Sequence, residues 1–286
     1  MKKILVTGAN GQLGKEIRAL AKSINQYTFV FLSREDLPIH HFELVRNYFN
    51  ELNPDYCINC AAYTAVDKAE TETVLAELIN TEAVGVLAAV TAAHKCKFMH
   101  ISTDYVYSGF SSEPYQETDV PAPESVYGKT KLAGEMAAME NNPESVIIRT
   151  SWVYAVHGHN FVKTMIRLMG ERPEISVVND QIGSPTWAAD LANCIMDIIK
   201  FPDWHPGIYN FSNEGQLSWY DFALQIKAMT GSTCDVKPIP SAAYPTPAKR
   251  PQYSVMDKSK IVQVFGIRLD PWQESLKHCL EALQQK

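Results

Sequence analysis

The N-terminus carries the feature that most constrains the fold: an apolar strand, a glycine-rich turn and a helix, in that order. Residues 2–6 read as a buried strand. Gly8 and Gly11 allow a tight turn close to a pyrophosphate, and Gly14 allows the helix to pack closely on the strand. The free N–H groups of a helix N-terminus attract an anion. The order predicts a dinucleotide site, although a turn that needs glycine only for its backbone conformation remains the alternative.

Alternating strands and helices continue through the first half of the chain. Predicted strands lie near 2–7, 28–32, 56–61, 97–102 and 146–150, with helices near 12–22, 42–52, 72–94 and 127–140. This alternation predicts an α/β fold with a doubly wound parallel Rossmann sheet. Beyond it we predict a strand at 175–178, a helix near 187–200, a strand at 207–211, a helix at 218–230 and a proline-rich extended connection as far as Pro251.

Tyr127 and Lys131 are separated by four residues, which places them on one face of a helix about 6 Å apart along its axis. A phenol is a poor acid or base at neutral pH, but a neighbouring ammonium stabilises the phenolate and lowers its pKa. The pair therefore predicts a proton-transfer site in which Lys131 lowers the pKa of Tyr127. The same spacing also occurs on solvated helix faces.

Composition excludes several classes of function. The 286 residues suggest about two domains. The formal charge of −6, with scattered Lys and Arg, argues against a nucleic-acid or anionic-membrane surface. The longest apolar stretch, 84–93, is shorter than the roughly 20 residues that span a bilayer, and residues 1–14 do not read as a signal peptide. A cytoplasmic protein is the prediction.

The six cysteines include Cys57 and Cys60, whose spacing is that of a redox or zinc motif. The pair lies in a predicted strand, where residues three apart point to opposite faces, and no second ligand pair follows. Buried reduced thiols are the prediction. The histidine pairs 40–41 and 157–159 lack partners at a ligand spacing, so no metal site is predicted.

Several motifs together resemble the extended short-chain dehydrogenases/reductases and, within them, the dTDP-4-dehydrorhamnose reductase family. The glycine turn and the Tyr/Lys pair are features of the whole superfamily, whereas the segments that carry Thr64, Trp152 and Gln181 are typical of a much smaller group of proteins within it. The resemblance extends over nearly the whole chain and rests on residues 7–14, 59–70, 102–107, 127–135, 149–154 and 179–186.

The resemblance implies a role for each matching residue. Tyr127 is the expected proton donor, Lys131 its activator and a ligand of the nicotinamide ribose, and Thr103 the hydroxyl that orients the substrate carbonyl. Asp104 and Trp152 are expected in the sugar pocket, although Trp152 is equally suited to a core. The coenzyme is expected to contact Gly8, Asn10, Gly11, Gln12, Leu13, Gly14, Ala62, Tyr63 and Thr64.

The implied reaction is reduction of the 4-keto group of dTDP-4-dehydro-L-rhamnose to dTDP-L-rhamnose. Arg250, with Lys249, is the candidate cation for the substrate diphosphate, and a solvated basic loop is the alternative. Residues 1–150 with roughly 180–215 are expected to form the NADP-binding Rossmann domain. Residues 151–179 and 216–286 are expected to form a smaller C-terminal sugar-binding domain. Related reductases pair as dimers, which leaves a homodimer open.

The end of the second strand bears on the coenzyme. An acidic residue there would hold a ribose 2′-hydroxyl and favour NAD, whereas this chain has Ser33 and Arg34, which suit a 2′-phosphate. The sequence predicts NADPH as the preferred coenzyme, with NADH as a second possibility. In the alternative, Glu35 or Asp36 holds the ribose.

Three other functions share these motifs. A nucleotide-sugar dehydratase needs an acid pair after the threonine, and Tyr105 stands where the second acid would be. A nucleotide-sugar epimerase is excluded only by the narrower motifs. A non-catalytic NADP-binding regulatory subunit is disfavoured because the Thr, Tyr and Lys are all present.

Overall fold

A computed structural model describes residues 1–285 and contains one large sheet and three two-stranded pairs. The large sheet is parallel, with strand order β10-β5-β4-β3-β1-β2. The predicted doubly wound α/β fold is therefore confirmed. The strands are β1 Lys2–Thr7, β2 Tyr27–Leu32, β3 Tyr56–Asn59, β4 Lys97–Thr103, β5 Val146–Thr150, β6 Val153–Tyr154, β7 Glu174–Val178, β8 Ile182–Gly183, β9 Thr186–Trp187, β10 Gly207–Phe211, β11 Leu217–Ser218 and β12 Asp235–Ile239.

The helices include four that sequence analysis did not predict: α3, α7, α10 and α11. Of these, α7 and α11 are amphipathic, so a signal was present in the sequence. The helices are α1 Gln12–Ala21, α2 Phe42–Leu52, α3 Val66–Ala69, α4 Thr73–Glu77, α5 Ala83–Ala93, α6 Val126–Asn141, α7 Phe161–Glu171, α8 Ala188–Lys200, α9 Trp219–Thr230, α10 Ser259–Phe265 and α11 Trp272–Gln284.

Both faces of the sheet are covered, as strand alternation requires. Ile4 and Val6 of β1 point to the face that α1 and α8 cover. Leu5, between them, points to the opposite face, which is covered by α2, α5 and α6. Two separate apolar cores result, one on each side of the sheet. A third lies in the C-terminal half, where α7, α9 and α11 pack together.

The strand order reverses at β1, which has β2 on one side and β3 on the other. Open α/β sheets bind ligands at such a switch point. Gly8 has a φ of +64°, and a Cβ there would lie 2.6 Å from the backbone nitrogen of Ala61. A Cβ on Gly14 would lie 2.5 Å from the carbonyl oxygen of Gly8. Glycine is thus required at both positions for the chain to pack at all.

The proline-rich segment includes a strand, because β12 pairs in parallel with β7. Pro238 lies within β12 and has no N–H to donate. The prediction of an extended chain was therefore correct for this part, but the pairing was not foreseen.

A continuous helix of 21 residues, Thr73–Ala93, runs through α4, a π-helical turn at Leu78–Glu82 and α5. By length and composition it is apolar enough to cross a membrane. The prediction that no apolar stretch reaches this length was wrong, because it counted only the uninterrupted apolar letters. However, Val84 and Leu87 pack against the sheet in the core shared with α2 and α6. The helix is thus also suited to the core of a globular protein. Core helices of this kind meet the same criteria of length and composition.

Candidate active site

Thr103, Tyr127 and Lys131 meet at the carboxyl edge of the sheet. Thr103 is the last residue of β4, and Tyr127 lies in the first turn of α6. Ser125 caps this helix, since its Oγ accepts a hydrogen bond of 3.1 Å from Gly128 N–H. All three predicted catalytic side chains are buried.

The pKa of Tyr127 differs from the expectation. Burial raises it to about 12, a hydrogen bond with Thr103 acts in the opposite direction, and the carboxylate of Asp104 raises it further. The expected lowering by Lys131 is not seen, because Lys131 does not contact the phenol in this state. The phenol therefore carries its proton at neutral pH.

Lys131 instead points at β4. Its Nζ donates to the carbonyl oxygen of Ile101 at 2.6 Å and lies 3.2 Å from Nε2 of His100. Burial lowers the pKa of Lys131 to about 8, while Glu135 and Cys60 raise it. Both partners of this lysine escaped sequence analysis.

A buried ion pair fixes α6 to the sheet. Arg149 of β5 donates from Nη2 to Oε2 of Glu135 at 2.6 Å and from Nε to both carboxylate oxygens. Its Nη1 donates to the hydroxyl of Tyr107 at 2.9 Å, and Ser102 also donates to Glu135. Glu135 lies one helical turn after Lys131 on α6. The ion pair between Arg149 and Glu135 therefore fixes the distance between the sheet and the helix face that carries Tyr127 and Lys131.

The glycine turn fits a bound pyrophosphate. Gly11 is the N-cap of α1, with no side-chain cap and no acidic residue in the first turn. A Cβ on Gly11 would meet only the carbonyl oxygen of Gly8, at 3.2 Å, so protein packing alone does not demand glycine here. Leu13 is buried, whereas Asn10 is exposed at the mouth of the turn. The first-turn N–H groups of a helix such as α1 are able to donate to an anion.

Gln12 joins the glycine turn to the C-terminal half of the chain. Its Nε2 lies 3.4 Å from the carbonyl oxygen of Val153, and its Oε1 accepts from Asn160 Nδ2 at 2.9 Å. Asn160 also caps α7. The side chain of Gln12 is therefore committed to the protein, which leaves its backbone N–H for a pyrophosphate.

The segment Ala62, Tyr63 and Thr64 follows β3 and is held by Asn80 of the π-helical turn. Asn80 Oδ1 accepts from Tyr63 N–H at 2.8 Å, and Nδ2 donates to the Tyr63 carbonyl at 3.1 Å. Thr64 is exposed and Ala62 half-buried. This segment adjoins the glycine turn, because Gly8 contacts the backbone of Ala61.

Ser33 and Arg34 lie beside the same turn, since Ala9 N–H donates to the Leu32 carbonyl at 3.0 Å. Ser33 N–H donates to Asp36 at 2.9 Å, and Ser33 Oγ accepts from the backbone of Glu35 and Asp36. Asp36 is thus engaged within its own turn, which disfavours the alternative in which it holds a ribose. The Arg34 side chain is exposed.

Asp104 is buried beside Thr103, whose hydroxyl donates to its Oδ1 at 3.0 Å. Burial raises the pKa of Asp104 to about 6. The side chain of Ser254 also lies near this carboxylate and acts to lower its pKa, whereas Oδ2 is buried and has no hydrogen bond of acceptable geometry within residues 1–285. A buried unpaired oxygen is costly, and a substrate hydroxyl would satisfy it.

Trp152 is half-buried and stacks on Trp219, with ring centroids 3.5 Å apart. A Cβ on Gly183 would lie 2.6 Å from its indole, so glycine there makes room for the ring. Trp152 also has a φ of +48°, in the left-handed region. Trp152 thus packs on another aromatic ring, as a core residue would, and its place in a sugar pocket stays a prediction.

Arg250 is already paired. It forms a bidentate ion pair with Asp67, with Nη1–Oδ1 and Nη2–Oδ2 distances of 3.0 and 2.7 Å. Lys249 lies 3.3 Å from Glu124. Arg250 as a ligand of the substrate diphosphate stays a prediction, and a diphosphate would have to compete with Asp67 for it. Nothing in the sequence pointed to Asp67 as the partner of Arg250, because the two residues are 183 positions apart.

The cysteines agree with the prediction of reduced thiols. None of the six forms a disulfide within residues 1–285, and five are buried. Cys57 and Cys60 do not form a redox pair. Cys57 lies within β3, whereas Cys60 follows the end of the strand at Asn59, whose Oδ1 accepts from Ala61 N–H.

A glycine turn at the switch point of a doubly wound sheet, with a buried threonine at the end of β4 and a buried tyrosine in the first turn of α6, defines the short-chain dehydrogenase/reductase class. The family model described as RmlD substrate binding domain matches residues 1–285. The chain belongs to this family.

Its relatives agree over nearly full length. A dTDP-4-dehydrorhamnose reductase of Aggregatibacter actinomycetemcomitans is 40% identical over 97% of this chain and 98% of its own. The crystal structure of a dTDP-4-dehydrorhamnose reductase from Clostridium acetobutylicum has a TM-score of 0.95 and 42% identity, and covers 99% of both chains. That of the Bacillus anthracis reductase in complex with NADP has a TM-score of 0.93 and 39% identity, over 99% of this chain and 100% of its own.

The backbone at Trp152 yields a stability prediction. Both Trp152→Ala and Trp152→Gly remove the stack on Trp219 and destabilise the protein. Glycine tolerates the φ of +48°, whereas alanine incurs a left-handed penalty of about 1–2 kcal/mol. The flexibility of glycine in the unfolded chain costs about 0.5–1 kcal/mol in return. We expect Trp152→Gly to be the more stable variant by up to about 1 kcal/mol in urea unfolding; a more stable Trp152→Ala would show that this backbone is not left-handed in solution.

Proposed function

We propose that this protein catalyses the NADPH-dependent reduction of the 4-keto group of dTDP-4-dehydro-L-rhamnose to dTDP-L-rhamnose. The observation that carries the proposal is the buried Tyr127, which lies near Thr103 and keeps its proton at neutral pH. A ketone reductase needs a proton donor in this form. The names of the full-length relatives support the substrate.

The coenzyme is proposed to lie across the switch point. The first-turn N–H groups of α1 and the backbone of residues 8–14 would bind its pyrophosphate. Residues 62–64 would adjoin the adenosine and its ribose, and Ser33 with Arg34 would receive the 2′-phosphate. Bound NADPH supplies the hydride for the sugar C4. The NADP bound to the Bacillus anthracis reductase supports this choice.

In the proposed mechanism Tyr127 donates its phenolic proton to the O4 oxygen as the carbon becomes saturated. Thr103 orients the carbonyl by a hydrogen bond, and Lys131 contacts the nicotinamide ribose and steadies the phenolate that is left. Orientation and stabilisation of the developing alkoxide provide most of the rate. The proton transfer itself contributes about 10²–10⁴-fold.

The sugar is proposed to lie between Asp104 and the indole of Trp152. The unpaired Oδ2 of Asp104 supports this placement, because it offers an acceptor to a sugar hydroxyl. Arg250 is the proposed ligand of the diphosphate. Its ion pair with Asp67 orients the guanidinium in the absence of substrate.

The domain division is likewise a proposal: residues 1–150 with roughly 180–215 bind the coenzyme, and 151–179 with 216–286 bind the sugar. It is supported by the pairing of β10 with β5 and by the packing of α8 in the same core as α1. The third apolar core, around Phe222, supports a separate C-terminal unit. We also propose a cytoplasmic enzyme that acts on a small nucleotide sugar, with a homodimer as its assembly.

Tyr127→Phe tests the mechanism. The variant keeps the ring and loses only the transferable proton, so turnover should fall by about 10²–10⁴-fold while coenzyme affinity is nearly unchanged. Steady-state assays and coenzyme titration measure the two effects. Tyr105→Phe is the matched control, because its ring lies 5.5 Å from that of Tyr127, edge to face, and it also loses a phenol. Turnover of Tyr127→Phe at the level of this control would contradict the assignment.

Arg34→Ala tests the coenzyme preference. A charge-assisted contact with the 2′-phosphate is worth about 1.5–3 kcal/mol, so NADPH should bind about 10- to 100-fold more weakly. NADH, which lacks that phosphate, should bind as before. Arg46→Ala on α2, another exposed arginine, is the control and should change neither affinity. An equal loss for both coenzymes would remove Arg34 from the 2′-phosphate site.

A further inference from the structure

A chain of buried polar side chains crosses three strands and ends at Lys131. Thr7, Asn59 and His100 have no exposed surface, and Lys131 is 1% exposed. Thr7 Oγ1 donates to Asn59 Oδ1 at 2.6 Å, and Asn59 Nδ2 lies 3.0 Å from His100 Nδ1. His100 Nε2 then lies 3.2 Å from Lys131 Nζ. Neither Asn59 nor His100 has a role in the mechanism proposed above.

A backbone group fixes the direction of this chain. Ala61 N–H donates to Asn59 Oδ1 at 3.2 Å, and a backbone N–H can only donate. The oxygen of the Asn59 amide must therefore face Ala61 and Thr7, and its nitrogen must face His100. His100 Nδ1 is consequently an acceptor. Because a neutral imidazole carries one proton, that proton is on Nε2.

The Nε2–H of His100 points at Lys131 Nζ. An ammonium has three donors and no lone pair, so it cannot accept this hydrogen. A neutral amine can accept it and still donate to the carbonyl of Ile101. A second proton on His100 is disfavoured, since burial holds its pKa well below the usual value.

The other titratable groups around Lys131 are either neutral or already paired. Glu135 on α6 raises the pKa of Lys131 but is itself paired with Arg149. Burial raises the pKa of the Cys60 thiol to about 12, so this group is neutral. Tyr127, on the same face of α6, also keeps its proton. Burial lowers the pKa of Lys131 to about 8, in the same direction as the hydrogen-bond argument.

We propose that His100 is a positioning residue whose Nε2–H stabilises the neutral amine of Lys131 in the coenzyme-free site, so that in alkaline solution, where this amine prevails, coenzyme binding takes up one proton. The inference rests on the coenzyme site proposed above. Ribose hydroxyl oxygens are acceptors, so Nζ gains partners for ammonium N–H groups once it turns from Nε2–H to the ribose. The proton comes from solvent and forms one N–H bond on Nζ; no other bond changes.

Calorimetric titration with NADPH and NADH, in buffers of different ionisation enthalpy, counts the protons directly. Between about pH 6.5 and pH 9.5 we expect uptake to rise from near zero to about one per site, centred near the pKa of the coenzyme-free lysine. Above that pKa the dissociation constant should increase about tenfold per pH unit. NADH is the control. Only NADPH carries the 2′-phosphate, which has a pKa of about 6 and can itself exchange a proton on binding.

Asn59→Asp tests the cause. A carboxylate accepts from Thr7, from Ala61 N–H and from His100 Nδ1–H, which leaves the Nε2 lone pair to accept from a Lys131 ammonium. Proton uptake on coenzyme binding should then vanish over the same pH range. In the wild type, histidine ¹⁵N NMR should find Nδ1 unprotonated and Nε2 protonated in His100, a readout that does not depend on the variant folding.

The contrary results are distinct. Coenzyme binding without proton uptake, an Nδ1-protonated His100, or unchanged uptake in a folded Asn59→Asp variant would each overturn the inference alone. Absence of coenzyme binding at every pH would instead overturn the proposed coenzyme site, and this inference with it.

Discussion

The buried ion pair between Arg149 and Glu135 is the interaction on which the rest of the site depends. It ties α6, which carries Tyr127 and Lys131, to β5, which lies between β10 and β4 in the sheet. Both side chains are only 2% exposed, so loss of either partner leaves an uncompensated charge, at a cost of about 3–5 kcal/mol. Tyr107 accepts a further hydrogen bond from Arg149, and Ser102 donates one to Glu135. The helix therefore cannot slide along the sheet, and the phenol of Tyr127 stays beside Thr103.

With α6 fixed, the chemistry follows from burial. In the coenzyme-free site, desolvation disfavours every charged form: Tyr127 keeps its proton and the pKa values of Lys131 and Asp104 move toward neutrality. The sequence suggested a lysine that lowers the pKa of the tyrosine, as two residues on one helix face would. In the fold, His100 and the carbonyl of Ile101 hold that lysine against β4 instead. Activation by Lys131 thus requires a change that coenzyme binding would bring.

Much of the fold was predictable because the strand, turn and helix signals of the first half are local. The six strands of the main sheet and the helices between them lie within a few residues of their predicted positions. Helices α7 and α11 are amphipathic, so their hydrophobic periodicity could also have predicted them. The contacts that shape the site were not, because they join distant segments: Arg250 to Asp67, Trp152 to Trp219, and Gln12 to Asn160. Residue patterns name the groups that take part, but only the packed sheet decides which of them already have partners.

The most direct test follows the hydride. With dTDP-4-dehydro-L-rhamnose as substrate and NADPH deuterated at the transferred position, the account predicts that each oxidised coenzyme leaves one deuterium at C4 of dTDP-L-rhamnose. NMR of the product reads both the label and the configuration at C4. Deuterium elsewhere in the sugar, the C4 epimer as product, or no coenzyme oxidation above background would contradict the account.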